Sequence, residues 1–154
     1  KNELLISCFE EYSKERYKVN EEIIKNSQNV LAAICSFIQS GAVAVDLLNP
    51  SFFSDMRKHY NDIWVLASKQ QNEKNYNLAF RLLRKGINEG IFRKDINIDI
   101  VVKIILAQMK LLVDNEVFSS DKYSRSEVFK NMVINFIRGI ATNKGIELID
   151  SLEK

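Results

Sequence analysis

The sequence predicts an all-α fold of about six helices. Three observations carry that expectation: apolar residues recur at spacings of three and four along the chain, β-branched residues do not alternate with polar ones, and proline occurs once and glycine five times. A length of 154 residues, with 46% hydrophobic and 27% charged side chains, fits one domain over residues 1–154 with a core of its own.

The first helix opens at Leu4, where Leu4, Leu5, Cys8, Phe9 and Tyr12 make a dry stripe while Glu10, Glu11, Lys14 and Glu15 turn outward. It is expected to reach about Ile24. The second occupies the uncharged run 26–45. There Val30, Ile34, Phe37, Gly41 and Val45 form one stripe beside another of Leu31, Cys35, Ile38 and Ala42, which places this helix in the middle of the domain. The run is of membrane length, but Asn26, Gln28, Asn29, Ser36, Gln39 and Ser40 make it too polar for hydrocarbon, so no membrane association is expected. Asn49 before Pro50 reads as an N-cap and a first-turn proline, opening a short helix that ends near Tyr60.

Residues 63–89 form the next helix, with Trp64, Ala67, Leu78, Phe80, Leu82, Leu83 and Ile87. Its polar middle, 69–77, is expected to leave the first half mobile or kinked. Gly90 suits the left-handed position after a helix, and Ile91 the apolar contact back to the last turn. Asn97 caps the following helix, with Asp99 set against the positive end of its dipole. Across 100–113 only Lys103, Gln108 and Lys110 are polar, so this helix is apolar on two sides. After a loop at about 115–123, Ser124-Arg125-Ser126-Glu127 makes a capping box, with Tyr123 and Val128 as its hydrophobic staple. The last long helix then presents Val128, Phe129, Met132, Val133, Phe136, Ile137 and Ile140, and Gly145 is expected to break it before a short tail, 146–152.

Charge and chemistry exclude several functions. A net charge of +2, from 22 basic and 20 acidic side chains, offers no concentrated basic face, so the chain is not expected to bind DNA by itself. The single histidine, His59, has no cysteine neighbour and no glutamate three residues before it, which removes zinc and di-iron sites. Gly86 and Gly90 follow no strand and precede no Lys-Ser/Thr, so they build no phosphate loop, and no serine has a histidine base in a recognisable setting. No catalysis and no cofactor are expected. Cys8 and Cys35 lack a C-x-x-C spacing and fall on apolar faces, reading as buried small hydrophobes in a reducing cytoplasm, with an oxidation switch as the special alternative. The chain opens at Lys1 already in helical pattern and without a signal-peptide layout, so an upstream segment is expected to be missing.

A helix that is apolar on two sides needs two covers. The chain's own core is one, and a second copy is expected to be the other, through a four-helix bundle built from the last two long helices of each chain. The contact residues expected are Val101, Ile105, Gln108 and Leu112 on one helix and Phe129, Met132, Val133, Phe136, Ile137 and Ile140 on the other. An intramolecular helical hairpin is the alternative.

Particular segments also carry a resemblance. Gly86-Ile87-Asn88-Glu89-Gly90-Ile91-Phe92-Arg93-Lys94-Asp95-Ile96-Asn97 resembles the segment that joins the seventh and eighth helices of the tetracycline-repressor (TetR) family of bacterial transcriptional regulators, although Ile98 stands where many members have proline. Lys1-Asn2-Glu3-Leu4-Leu5 resembles the start of that family's fourth helix. Asn49-Pro50-Ser51-Phe52-Phe53 and Arg138-Gly139-Ile140-Ala141-Thr142-Asn143-Lys144-Gly145 are similar to segments of some members. The resemblance implies a TetR C-terminal-domain-like bundle that senses a ligand and dimerises, with DNA bound only through an absent N-terminal helix-turn-helix domain and the first helix acting as lever. It implies a pocket among Ser36, Phe37, Gln39, Ser40, Phe53, Tyr60, Trp64, Phe80 and Met109, where Ser36, Gln39, Ser40 and Tyr60 are expected to orient a small ligand, and the absence of charge across 26–45 predicts that ligand to be mainly apolar. Aromatic residues at helical spacing also serve simply as core, and a dimeric helical adaptor without a pocket is the alternative function.

Overall fold

Seven α-helices and one 3-10 turn form among the described residues, which in the computed structural model are 2–46, 50–114 and 116–152. In chain order they are α1 (Asn2–Asn26), α2 (Val30–Asp46), α3 (Pro50–His59), α4 (Asn61–Asn88), α5 (Ile98–Met109), the 3-10 turn (Lys110–Val113), α6 (Arg125–Ile140) and α7 (Asn143–Leu152). The expected cap at Asn49 lies outside the described residues.

α2 is central, as its double stripe requires. Its first turn has two donors satisfied from different places: Asn29 Oδ1 accepts from the N–H of Ala32 at 2.9 Å, and the Glu89 carboxylate accepts from the N–H of Val30 at 2.8 Å. The helix then buries Val30, Leu31, Ala33, Ile34 and Ala42 and packs chiefly on α6, with α1 and α4 beside it. Gly41 lets α6 come close, because a Cβ there would overlap the ring of Phe129.

α4 runs unbroken through its polar middle, so the expected kink does not occur. The physical reason is its neighbour. Gln71, Lys74 and Asn75 face polar side chains of α1 and do not need an apolar cover. At the far end Gly90 takes φ +71°, and the N–H groups of Ile91 and Phe92 both donate to the carbonyl of Gly86, at 2.9 and 3.1 Å. This turn seats the fully buried Phe92 ring on Gly86, where a Cβ would overlap it.

The turn after α4 is clamped by the turn after α6. Arg93 N–H donates to Ile140 O and Thr142 N–H to Ile91 O, both at 2.9 Å, around an isolated bridge of Phe92 with Ala141. Thr142 Oγ1 donates to Gly90 O at 2.8 Å and accepts from the N–H of Gly145 at 3.1 Å, starting α7. Gly145 therefore does not break the last long helix. That helix ends earlier, at Ile140, because Ala141 turns extended to pair with Phe92, and Gly145 lies in the first turn of α7, where a Cβ would strike the carbonyl of Ile91. Around this clamp the core gathers Val30, Leu31, Ile34, Leu83, Ile91, Phe92, Val102, Ile137, Ile140 and Ile149.

The cap at Asn97 forms, and of the capping box at 124–127 the serine half forms. Asn97 accepts from the N–H of Ile100 at 3.2 Å, and Ser124 from that of Glu127 at 3.4 Å. Tyr123 stands edge-on to Phe118, with ring centroids 5.7 Å apart, while Val128 is buried.

The first half of α1 departs from expectation. Its dry stripe is largely uncovered: Leu4, Cys8 and Tyr12 are exposed and Leu5 is half-buried, while the Phe9 side chain lies outside the described residues, and the face turned to α4 carries the polar Ser13 and Asn20. Cys8 is thus not a buried hydrophobe, and Cys35 is half-buried, with burial pushing its thiol pKa up.

Candidate functional site

Two features remain open to function, an apolar stripe on α5 and the helices around the middle of α2. The rotation of α5 about its axis decides the first. Asn97 caps it, and in its first turn Asp99 Oδ1 accepts from the Tyr76 hydroxyl of α4 at 2.7 Å while Asp99 Oδ2 accepts from Lys103 at 2.8 Å. The hydrogen bonds from Lys103 and then Tyr76 hold the Asp99 carboxyl below its ordinary value, and the same carboxylate raises the pKa of both partners. With α5 pinned this way, Val102 is wholly buried, and Val101, Ile105 and Leu106 lean on the core.

The surface left outside is Ile100, Ile104 and Ala107 on α5 and Leu111 in the 3-10 turn after it, a stripe at spacings of four, three and four. Ile100 is 53% exposed and Ile104 44%. This stripe lies one residue of register from the expected contact positions Val101, Ile105, Gln108 and Leu112. Leu112, Ile137 and Ile140 are buried within the subunit, and Val133 and Phe136 pack on the same core. Phe129 rests on Gly41, while Gln108 and Met132 are half-buried. The Tyr76 to Asp99 bond that sets this rotation spans 23 residues, so periodicity alone does not reveal it.

The candidate ligand set is only partly drawn together. Ser36, Phe37 and Ser40 are half-buried on α2, as are Tyr60, Trp64, Phe80 and Met109 on their elements, whereas Gln39 is exposed. The Phe53 side chain lies outside the described residues. Ser40 Oγ is closed off from solvent and has no hydrogen-bond partner, which marks it as a polar atom awaiting one. Phe80 stands apart from this group. Its ring stacks on Tyr76 at 6.0 Å, lies 5.9 Å from the Arg84 guanidinium, and lines an open cleft of about 550 Å³ with Ile24, Leu82, Lys85, Asn88 and Glu89. A second, tighter crevice of about 10 Å³ lies between α1 and α4 and takes in none of the candidate set. Neither was expected from the sequence, since both bring residues of α1 against α4 across more than fifty positions of chain.

His59 is exposed, and no group of three His, Cys, Asp or Glu side chains among the described residues is placed to hold a metal ion. Nor is any helix among them long and apolar enough to cross a membrane.

Comparison with known proteins places this geometry. No family model matches the chain. It is 22% identical over 145 residues to the HTH-type transcriptional regulator YvaF of Bacillus subtilis (strain 168), a match covering 94% of this chain and 75% of that protein. Among solved structures it is similar to the ketosteroid transcriptional regulator KstR2 of Mycobacterium tuberculosis, with a TM-score of 0.62, 16% identity, and coverage of 88% of this chain and 68% of that one. The chain shares the all-helical fold of the mycobacterial regulator, and both relatives are named as transcriptional regulators.

Proposed function

We propose that this chain is the regulatory domain of a TetR-like transcription factor: it dimerises through α5 and α6, takes a small and mainly apolar ligand beside α2, and acts on operator DNA through an N-terminal domain upstream of α1. The reading is carried by one observation. The sequence and fold likeness to regulators runs over nearly the whole chain, and the segment after α4 that first suggested it is the clamp that organises the core. The use of such a domain is linkage: a ligand that binds one arrangement of the helices better than another shifts the population of that arrangement, and α1 passes the shift to the DNA-reading heads. Operator DNA places this activity in the cytoplasm. The ligand site would be formed by Ser36, Phe37, Ser40, Tyr60 and Trp64, with the unpartnered Ser40 Oγ as its orienting polar atom.

The second reading, a dimeric adaptor without a small-molecule site, has one observation in its favour. Neither the cleft nor the crevice takes in Ser36, Ser40, Tyr60 or Trp64. A neutral apolar dye separates the two. Titrated with Nile red, the regulator binds saturably at one site per subunit, gains thermal stability, and loses both responses in Ser40→Leu with its melting curve intact. Linear, non-saturating fluorescence with no thermal shift would leave the adaptor.

A further inference from the structure

Among the described residues, α1 is the one helix that contributes nothing to the buried set. α2, α4, α5, α6 and α7 all supply core side chains and α3 supplies Met56, yet none of the described side chains of α1 is buried, Leu5, Ile6, Ile23 and Ile24 being half-buried at most. What it turns toward α4 is polar at successive turns: Ser13, Tyr17, Asn20 and Glu21. Lys74 Nζ donates to Ser13 Oγ at 3.1 Å, Ser13 Oγ donates to Gln71 Oε1 at 2.8 Å, and Gln71 Nε2 donates to Asn75 Oδ1 at 2.8 Å. Two turns on, Arg81 grips Glu21 through both guanidinium nitrogens, at 2.6 and 3.2 Å.

Within this seam one atom is out of balance. Asn20 Oδ1 is closed off from solvent and accepts no hydrogen bond. Asn20 lines the crevice of about 10 Å³ together with Ser13, Tyr17, Gln71, Lys74, Asn75 and Leu78. A void of that size, roughly room for a single water, holds one when two or more polar groups converge on it, and leaving the amide oxygen unpaired costs more than hydrating it.

We propose that one water occupies this crevice, bound by Asn20 Oδ1, and that α1 rides on α4 across a hydrated polar seam that lets it shift as a unit. Interdigitated apolar side chains resist sliding because every displaced contact opens a void. Hydroxyl, amide and water partners exchange for one another at little net cost, so a seam of this kind has several registers of similar energy. The use of that freedom in signalling rests on the regulatory reading above. The seam itself does not.

The test is made on the chain as it stands, with neither ligand nor DNA. Asn20→Leu fills the crevice and excludes the water, and Lys74→Met removes the charged end of the hydrogen-bond chain from a more exposed position that folding tolerates. Hydrogen exchange across residues 10–24 is expected to slow several-fold in each folded variant, while the amides of α5 keep their rates. A crystal structure of the unsubstituted chain should show a water within hydrogen-bond distance of Asn20 Oδ1. Unchanged or faster exchange of α1 in the folded variants overturns the proposal, as does a crevice empty in well-resolved density or an Asn20 amide paired directly with protein. A failed dye titration would leave this result standing, and a failed exchange experiment would leave the ligand site standing.

Discussion

Gly86 and Phe92 share one volume. The ring lies where a Cβ at Gly86 would be, and the same glycine's carbonyl collects the N–H groups of Ile91 and Phe92, so side-chain packing and helix termination depend on one residue. Gly86→Ala forces the fully buried ring off its rotamer and is expected to cost about 1–3 kcal/mol, read as a lowered urea midpoint at unchanged slope. Glu89, three residues on, joins helices that are distant in sequence. Its carboxylate takes the first N–H of α2 from 59 residues away, a favourable place for negative charge at a helix N-terminus. Glu89→Ala leaves that donor unpaired and is expected to cost about 1 kcal/mol, with exchange of the Val30 amide rising selectively. Gly90 and its left-handed turn were legible from sequence because the constraint is local. The role of Glu89 was not, because nothing around residue 89 names an acceptor for Val30.

At the scale of elements, local signals read correctly and rotations did not. Caps at Asn97 and Ser124 announced α5 and α6 because a cap and its helix are neighbours in sequence. The amphipathic stripe of α1 does not mark the face it turns to α4, because this helix meets α4 through polar side chains whose partners lie some sixty positions away. One link in that seam is pH-sensitive. The hydrogen bond from Arg81 holds the Glu21 carboxyl below its ordinary value of 4.5, so folding favours the ionised form. The stability this contributes is full above pH 4.5 and drains away as pH falls through the lower, folded value. Both side chains are about a third or more exposed, which screens the pair and limits its worth to no more than about 1 kcal/mol. Urea titrations at pH 7 and pH 3 are expected to show the unsubstituted chain losing slightly more stability on acidification than Glu21→Gln does. Equal losses would mean that the pair contributes nothing to holding α1.

For the whole molecule the decisive surface is the α5 stripe. A single exposed isoleucine needs no explanation, but Ile100, Ile104 and Ala107 form an apolar row down α5 that Leu111 continues in the 3-10 turn, with the rotation of α5 set by Tyr76 and Asp99. Under two-fold symmetry such a row meets its own image, so one substitution acts twice per interface. Ile104→Asp places two carboxylates in the apolar centre of the pair. Leaving each without a partner costs about 1–3 kcal/mol, so the dissociation constant is expected to rise about a hundredfold or more. Light scattering on a gel-filtration column should then give a dimer for the unsubstituted chain at micromolar concentration and a monomer for Ile104→Asp. Val43→Asp is the control, because Val43 is more exposed than Ile104, at 64%, but lies on α2 and away from the stripe. If both aspartates dissociate the protein equally, general destabilisation is responsible. If neither does, or if the unsubstituted chain is already monomeric, α5 does not form the interface and the proposed coupling between two DNA-reading heads loses its geometric basis.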